Sequence, residues 1–206
     1  NKTAIMNLSP INDYFLPSSI LDIGANVGQF RTQAQEFWPD SYIFSIEASD
    51  ACEEHLNKLT NDYLICLLAK DESNYKYFSR KNDPTSTGNS IYRELTRFFS
   101  DDQLEVIKKD GITLDSLFAP DRTFDLIKMD TQGSELDIIE GGRKICSRAK
   151  AILLEVSYTE YNKNAPLVAE VVEYMQNFNF EPSWVLDESR NHGAHQQDIL
   201  FINKAI

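Results

Sequence analysis

The sequence predicts an α/β fold in which helices cover both faces of a mostly parallel β-sheet. Short apolar runs at 20–23, 42–46 and 63–68 indicate buried strands, and segments of helical periodicity follow the first two of them. The run at 63–68 lacks the polar alternation of a half-exposed strand, as expected when both faces of a parallel sheet are covered. Alternating strands and helices imply right-handed crossovers and therefore a doubly wound sheet.

Length and composition favour a single domain over 1–206 whose cysteines are in the reduced state. A chain of 206 residues buries about 70% of its unfolded surface on folding. The three cysteines, Cys52, Cys66 and Cys146, lie far apart and show no metal-ligand spacing. We therefore expect free thiols in a reducing compartment.

The chain is acidic, with a net charge of −12 and a pI of about 4.7. Its average field repels nucleic-acid phosphates and anionic membranes, so we expect no nucleic-acid partner. The sequence also lacks an apolar run of about 18 residues and a leading signal peptide. The expected location is cytoplasmic, without a membrane span.

After an irregular lead-in at 1–19, the first strand runs into a glycine turn and then a helix. Gly24 and Gly28 allow a tight turn and the close approach of a ligand to the backbone. A dinucleotide fingerprint starting at Gly24 needs glycines at 26 and 29, where the chain has Asn26 and Gln29. No lysine followed by serine or threonine is present in this turn, so the P-loop pattern is also missing.

Two acidic residues, one before this turn and one at the end of the next strand, indicate a nucleoside ligand other than a dinucleotide. Asp22 precedes the first glycine, at the end of a strand where it can meet a cationic group. Glu47 ends the second strand, about twenty residues later, the spacing at which an acid binds ribose hydroxyls. An acid for an ammonium group and an acid for a ribose suit S-adenosylmethionine. A second interpretation, in which both acids only cap helices, stays open.

The middle of the chain carries less pattern. A helix at 51–59 and a short extra strand at 75–79 are predicted. The polar stretch 81–90 is a loop by composition, and a ten-residue loop in a compact domain is either a functional lid or an ordinary surface loop. We therefore regard 80–100 as a candidate substrate lid. Asp110-Gly111 predicts a turn, and 113–118 predicts a capped helical turn.

The second informative stretch is 124–135, where the fourth strand ends at Asp130. A helix is expected from Ser134, with Asp137 completing a capping box. The fifth strand, at 151–156, carries Glu155 near its end. If these strands are neighbours, Asp130 and Glu155 converge at the carboxyl edge of the sheet, where such folds bind ligands. Three interpretations of the pair stay open: ligands of a divalent cation, a general base, or partners of lysines and helix caps.

The C-terminal part predicts a helix at 166–178, a sixth strand at 184–186 and a last, antiparallel strand at 198–203. The polar loop before the last strand contains His192 and His195. Histidine titrates near neutral pH and is the usual candidate base. A surface histidine pair is the alternative, and H-x-x-H alone is too short to indicate zinc.

Five segments in the same order together resemble the FkbM family of S-adenosylmethionine-dependent methyltransferases. They are Leu21-Asp22-Ile23-Gly24-Ala25-Asn26-Val27-Gly28, Ile46-Glu47-Ala48, Thr113-Leu114-Asp115, Ile127-Lys128-Met129-Asp130-Thr131-Gln132-Gly133-Ser134-Glu135 and Asp198-Ile199-Leu200-Phe201. The resemblance implies a Rossmann-like class I methyltransferase fold, whose seven-stranded sheet has the order 3-2-1-4-5-7-6 with strand seven antiparallel. By position, residues of the first motif hold the methionine part of the cofactor: Asp22, Gly24, Ala25, Asn26 and Gly28. Glu47 and Ala48 contact the nucleoside, Glu47 binding its ribose, and Asp130 lies beside the sulfonium.

The predicted function is methyl transfer to a hydroxyl oxygen of a sugar, glycan or natural product. Such a hydroxyl is a poor nucleophile at neutral pH, so a base or a metal must assist. The candidate catalytic residues are His192, His195, Asp130 and Glu155, and no metal ligand is assigned. Residues 80–100 match no family motif, and the acceptor is not carried over. The alternatives are an NAD(P)-dependent oxidoreductase and a non-catalytic module that binds a partner through 80–100.

Overall fold

A computed structural model describes residues 6–185 and 196–206. The strands are β1 (Ser19–Ile23), β2 (Tyr42–Glu47), β3 (Tyr63–Ile65), β4 (Leu67–Leu68), β5 (Asn74–Arg80), β6 (Leu104–Ile112), β7 (Leu126–Met129), β8 (Ala151–Ser157), β9 (Phe180–Val185) and β10 (Gln196–Asn203). The α-helices are α1 (Gln29–Phe37), α2 (Glu53–Leu59), α3 (Leu114–Leu117), α4 (Glu135–Gly141), α5 (Arg143–Cys146) and α6 (Val168–Asn177). Short 3-10 helices cover Ser9–Asp13, Asp50–Cys52 and Arg97–Phe99.

The main sheet has seven strands in the order β3-β2-β1-β7-β8-β10-β9 within the described residues. Strands β3, β2, β1, β7 and β8 are parallel to one another, and β10 runs antiparallel to both β8 and β9. Numbered within this sheet alone, the order is 3-2-1-4-5-7-6 with the seventh strand antiparallel, which confirms the prediction. The order places the ends of β1 and β7 side by side at the centre of the carboxyl edge.

Each face of the sheet has its own apolar core, so the prediction of helices on both faces is also confirmed. One core joins Phe30 and Ala34 of α1 to the sheet, together with Leu8 and Ile11 of the lead-in. The other joins buried residues of α3 to α6 to the opposite face. Among the described residues, no helix is both long and apolar enough to cross a lipid bilayer.

A small second sheet, with the order β4-β6-β5, packs beside the main one. The predicted strand at 63–68 divides at Cys66, with β3 joining the main sheet and β4 the small one. The turn predicted at Asp110-Gly111 is wrong. Both residues lie inside β6, because β6 pairs there with β5 on one side and β4 on the other.

Two features of the helix after β7 differ from a regular helix. Gly142 separates α4 from α5, and a Cβ atom at Gly141 would overlap the Ala69 carbonyl oxygen. Close packing and a break in the helix therefore occur together at this glycine pair. The predicted capping box is wrong, because the Ser134 side chain does not cap the helix and its Oγ donates to the Thr131 carbonyl (3.2 Å).

Candidate cofactor and acceptor site

A cavity of about 710 Å³ lies at the carboxyl edge of the main sheet, within the size range of small-molecule sites. The turn after β1, the end of β2 and the segment after β7 all line it. The two sequence stretches that carry most of the chemistry therefore converge on one space.

The turn after β1 is a tight backbone loop held against β2. The N–H groups of Gly24 and Ala25 both donate to the Ile46 carbonyl, at 2.9 and 3.1 Å. Gly24 and Gly28 have φ of +75° and +88°, a region that favours glycine. A Cβ atom at Gly24 would also overlap the Asp130 carbonyl oxygen, so the turn lies directly against the segment after β7.

Glu47 is buried at the end of β2 and fixes this turn. Its carboxylate accepts from the Asn26 N–H (2.7 Å) and from the Ser49 N–H (2.7 Å). Burial raises the pKa of Glu47, and the two hydrogen bonds oppose that rise. Ala48 lines the cavity beside it. Glu47 caps neither α1 nor α2, and it lies in the cavity wall.

Asp22 has a different environment from the one the sequence suggests. Its side chain has no exposed surface, it does not line the cavity, and neither carboxylate oxygen has a hydrogen-bond partner. Lys128 Nζ lies 3.8 Å from its Oδ1. Burial raises the pKa of Asp22 to about 6, although Lys128 opposes the rise. Asp22 therefore lies beneath the turn and is positioned to act on a ligand only through its neighbours.

Asp130 and Glu155 do converge, because β7 and β8 are adjacent parallel strands. The Gln132 amide donates to Asp130 Oδ1 (3.1 Å) and to the Glu155 carboxylate. Burial raises the pKa of Glu155 well above its ordinary value, and Asp130 and Asp198 add to the rise. Although burial opposes it, Lys128 and the Gln132 amide hold the pKa of Asp130 below its ordinary value. The pKa values of the two carboxyl groups are therefore shifted in opposite directions, upward for Glu155 and downward for Asp130.

No three histidine, cysteine, aspartate or glutamate side chains form a metal-binding group in residues 6–185 and 196–206. His192 and His195 lie outside the described residues.

The loop between β7 and α4 is shaped by Glu135. This carboxylate accepts from the Thr131 N–H (2.8 Å) and the Gly133 N–H (3.0 Å). Gln132 and Gly133 both have positive φ, at +56° and +104°. The tight loop directs the Gln132 side chain at Asp130 and Glu155.

Residues 81–92, called the strap below, contact both cofactor-side motifs. Asn26 Nδ2 donates to the Thr85 carbonyl (2.8 Å). Ser90 Oγ donates to the Thr131 carbonyl (2.8 Å). The strap therefore joins the turn after β1 to the loop after β7 and contributes residues to the cavity wall.

Beyond the strap, Leu95 N–H donates to the Tyr161 carbonyl (2.9 Å), and Glu94 and Tyr161 line the cavity. Burial and the neighbouring Glu94 raise the pKa of Tyr161 to about 12. The stretch 93–99 forms only one short 3-10 helix, Arg97–Phe99.

Several cavity residues were not singled out from the sequence. The residues that line the cavity without having been predicted as functional are Glu94, Lys128, Gln132, Tyr161, Gln196 and Asp198. The alternation of side chains along a strand could have predicted Lys128, because it lies two residues before Asp130 and so on the same face. Glu94 and Tyr161 come from distant loops, and no local pattern places them together.

The sequence model of the Methyltransferase FkbM domain matches residues 22–182. No curated protein sequence matches the chain significantly.

Solved structures with similar folds include several methyltransferases. Methyltransferase FkbM from Methylobacillus flagellatus KT aligns over 90% of this chain with 16% identity and a TM-score of 0.57. The chain spans 43% of that protein's length. A TehB-like SAM-dependent methyltransferase from Corynebacterium glutamicum aligns over 98% of this chain and 90% of its own, with 11% identity and a TM-score of 0.53.

Magnesium protoporphyrin IX methyltransferase from Synechocystis PCC 6803, solved with bound S-adenosylmethionine, has 9% identity and a TM-score of 0.50. It aligns over 94% of this chain and 74% of its own length. At these identities the structural likeness establishes the fold.

Proposed function

Because the chain belongs to the FkbM family of methyltransferases, we propose that it transfers a methyl group from S-adenosylmethionine to a hydroxyl oxygen of a sugar, glycan or natural product. The observation that carries the proposal is the convergence of two motifs on one cavity. The turn held by Glu47 and the pair Asp130 and Glu155 line the same cavity.

The part of the cavity that is lined by Glu47 and the turn after β1 fits a nucleoside with an amino-acid tail. Glu47 lines the cavity with a buried carboxylate that can accept from ribose hydroxyls, as an acid at the end of the second strand does in nucleoside-binding folds. The backbone of Gly24, Ala25, Asn26 and Gly28 carries no bulky side chain and leaves room for close approach. These residues would hold the methionine part, with Ala48 beside the ribose.

S-adenosylmethionine supplies a methyl group that is already activated on a sulfonium, so the chain's own residues have to position the acceptor and accept its proton. Glu155 is the proposed base, because burial raises its pKa well above the ordinary value and so strengthens its affinity for the proton of the acceptor. Asp130 stays ionised and provides a fixed negative charge for a cationic ligand. His192 and His195 remain predicted alternatives for the base.

The cofactor assignment is tested by titrating the full chain with S-adenosylmethionine and, separately, with NADH in a calorimeter. Saturable binding of S-adenosylmethionine without binding of NADH supports the proposal. The reverse result would establish the oxidoreductase alternative and overturn it.

The hydroxyl assignment is tested with methyl-labelled S-adenosylmethionine and a panel of glycosides that differ in their free hydroxyls. Methyl ethers resist mild alkali, whereas methyl esters are hydrolysed, so alkali-stable label on a glycoside without amino groups indicates transfer to a hydroxyl. The role of Glu155 is tested with Glu155→Gln, which is expected to bind cofactor normally and to transfer label at least about a hundredfold more slowly. Normal turnover by this variant would remove Glu155 from the proposed mechanism.

A further inference from the structure

Lys128 is a buried lysine in β7 whose ammonium group lies between carboxylates from two motifs. Its Nζ lies 3.4 Å from Asp130 Oδ2 and 3.8 Å from Asp22 Oδ1, and its side chain is only 5% exposed. The Phe30 ring of α1 lies 5.4 Å from the ammonium. Lys128 also lines the cavity, so it connects the buried layer under the turn with the site itself.

Strand register explains why these charges meet. Asp22 and Lys128 are direct partners in the β1–β7 pair, and Asp130 is two residues beyond Lys128, on the same face. On the neighbouring strands, Glu155 and Asp198 are direct partners of each other. Lys128 is therefore surrounded by carboxylates from β1, β8, β10 and the end of β7.

Asp22 has no other described group to compensate its charge directly. Neither of its oxygens accepts a hydrogen bond. The nearby Arg31 donates instead to the Ile43 carbonyl (2.6 Å) and to Thr60 Oγ1 (2.8 Å). Glu47, on β2, adds a further negative charge near Asp22. A buried ionised carboxylate needs a cation close by, and Lys128 is the cation in contact with it.

We propose that Lys128 is a positioning residue whose ammonium keeps Asp22 and Asp130 ionised together and orients the Asp130 carboxylate for the sulfonium of the methyl donor. The last clause rests on the function proposed above, whereas the effect on the two carboxylates does not. Without the ammonium, the buried Asp22 and the half-buried Asp130 hold a proton between them that a cationic ligand has to displace into solvent. With it, the site binds the ligand without that proton exchange.

The charge effect can be measured in the ligand-free full chain. Aspartate side-chain carboxyl carbons are titrated by NMR in the wild type, in Lys128→Met and in Lys128→Arg. The matched control is Lys150→Met, because Lys150 also pairs with an aspartate, Asp125 (2.9 Å), at the opposite edge of the sheet.

In Lys128→Met the titration midpoint of Asp130 is expected to rise by at least about one pH unit, a tenfold change in its protonation constant. Lys128→Arg is expected to restore the midpoint, because the charge is retained, and Lys150→Met is expected to leave it unchanged. Wild-type midpoints for both Asp22 and Asp130 in Lys128→Met would overturn the proposal.

If Lys128→Met does not fold, the double variant Asp22→Asn/Lys128→Met is used, because it also removes the uncompensated charge under the turn. The Asp130 midpoint in that double variant is then compared with the midpoint in Asp22→Asn, with the same expected rise and the same refuting result.

The link to the cofactor is measured by calorimetry with S-adenosylmethionine at pH 7.5 in two buffers of different ionisation enthalpy. The wild type is expected to exchange almost no protons on binding, and Lys128→Met to release up to about one proton. Equal proton exchange in the two proteins would overturn the orienting role. If no protein binds the cofactor, the proposed function and this role both fail, and the titration in the ligand-free chain still decides the charge effect.

Discussion

Asp22→Asn is expected to change the pH dependence of folding stability in a direction set by burial. Burial raises the pKa of Asp22 from 3.8 to about 6. The folded state therefore binds this proton more tightly than the unfolded state. The contribution of Asp22 to stability is fully present below pH 3.8 and is lost as the pH rises through 6.

The size of the effect follows from the two pKa values. A difference of about two pH units corresponds to about 3 kcal/mol, at about 1.4 kcal/mol per unit. About half of that loss falls between pH 5 and pH 7.5, where the protein can be handled without general acid unfolding. The asparagine variant does not titrate, so it lacks this loss.

The assay is urea unfolding of the wild type and Asp22→Asn at four pH values from 5 to 7.5. The stability of the wild type minus that of the variant is expected to fall by about 1–2 kcal/mol over this range. Asp125→Asn is the control with the opposite sign. Despite its partial burial, hydrogen bonds from Ser18 and Lys150 lower the pKa of Asp125, so its contribution is lost only in more acidic solution. A flat difference for Asp22→Asn would refute the interpretation of Asp22 as a carboxylate whose pKa is raised by burial.

Three further substitutions test the site. Gly24→Ala places a Cβ atom against the Asp130 carbonyl at positive φ, so a loss of at least about 2 kcal/mol in urea unfolding and at least tenfold weaker cofactor binding are expected; wild-type values would contradict the close contact. Glu135→Ala removes two charge-assisted hydrogen bonds and should cost about 3 kcal/mol in the same assay, whereas a loss below about 1 kcal/mol would show that the loop does not depend on them. Asn26→Ala removes the bond to the Thr85 carbonyl, so faster tryptic cleavage within the strap is expected, and unchanged cleavage would contradict a strap held by this bond.

Strand periodicity was sufficient to predict a mostly parallel α/β sheet, and the resemblance to the FkbM family implied its strand order. Each apolar run ends in a residue that the sheet then places at its carboxyl edge, which is why Glu47 and Asp130 were located correctly. The small sheet was only partly predicted, because β6 extends through Asp110-Gly111. A local turn signal there is overridden by pairing on both sides of the strand.

The sequence predicted the site less completely than it predicted the fold. The prediction for Asp22 used its position at the end of a strand, but its charge is compensated by Lys128, a partner about a hundred residues away. The contact between Glu94 and the region of Tyr161 likewise depends on long-range packing. Sequence patterns report local conformation, whereas compensation of a buried charge is a property of the assembled fold.

The central claim is that the turn after β1 and Glu47 form a site for S-adenosylmethionine. Calorimetric titration of the wild type and Glu47→Ala with S-adenosylhomocysteine tests it most directly, with Glu54→Ala as a control at an exposed glutamate. The account predicts saturable binding that is weakened at least tenfold in Glu47→Ala, or about 1.4 kcal/mol and more, and unchanged in Glu54→Ala. Absence of binding by folded wild-type protein, or equal affinity in Glu47→Ala, would contradict it.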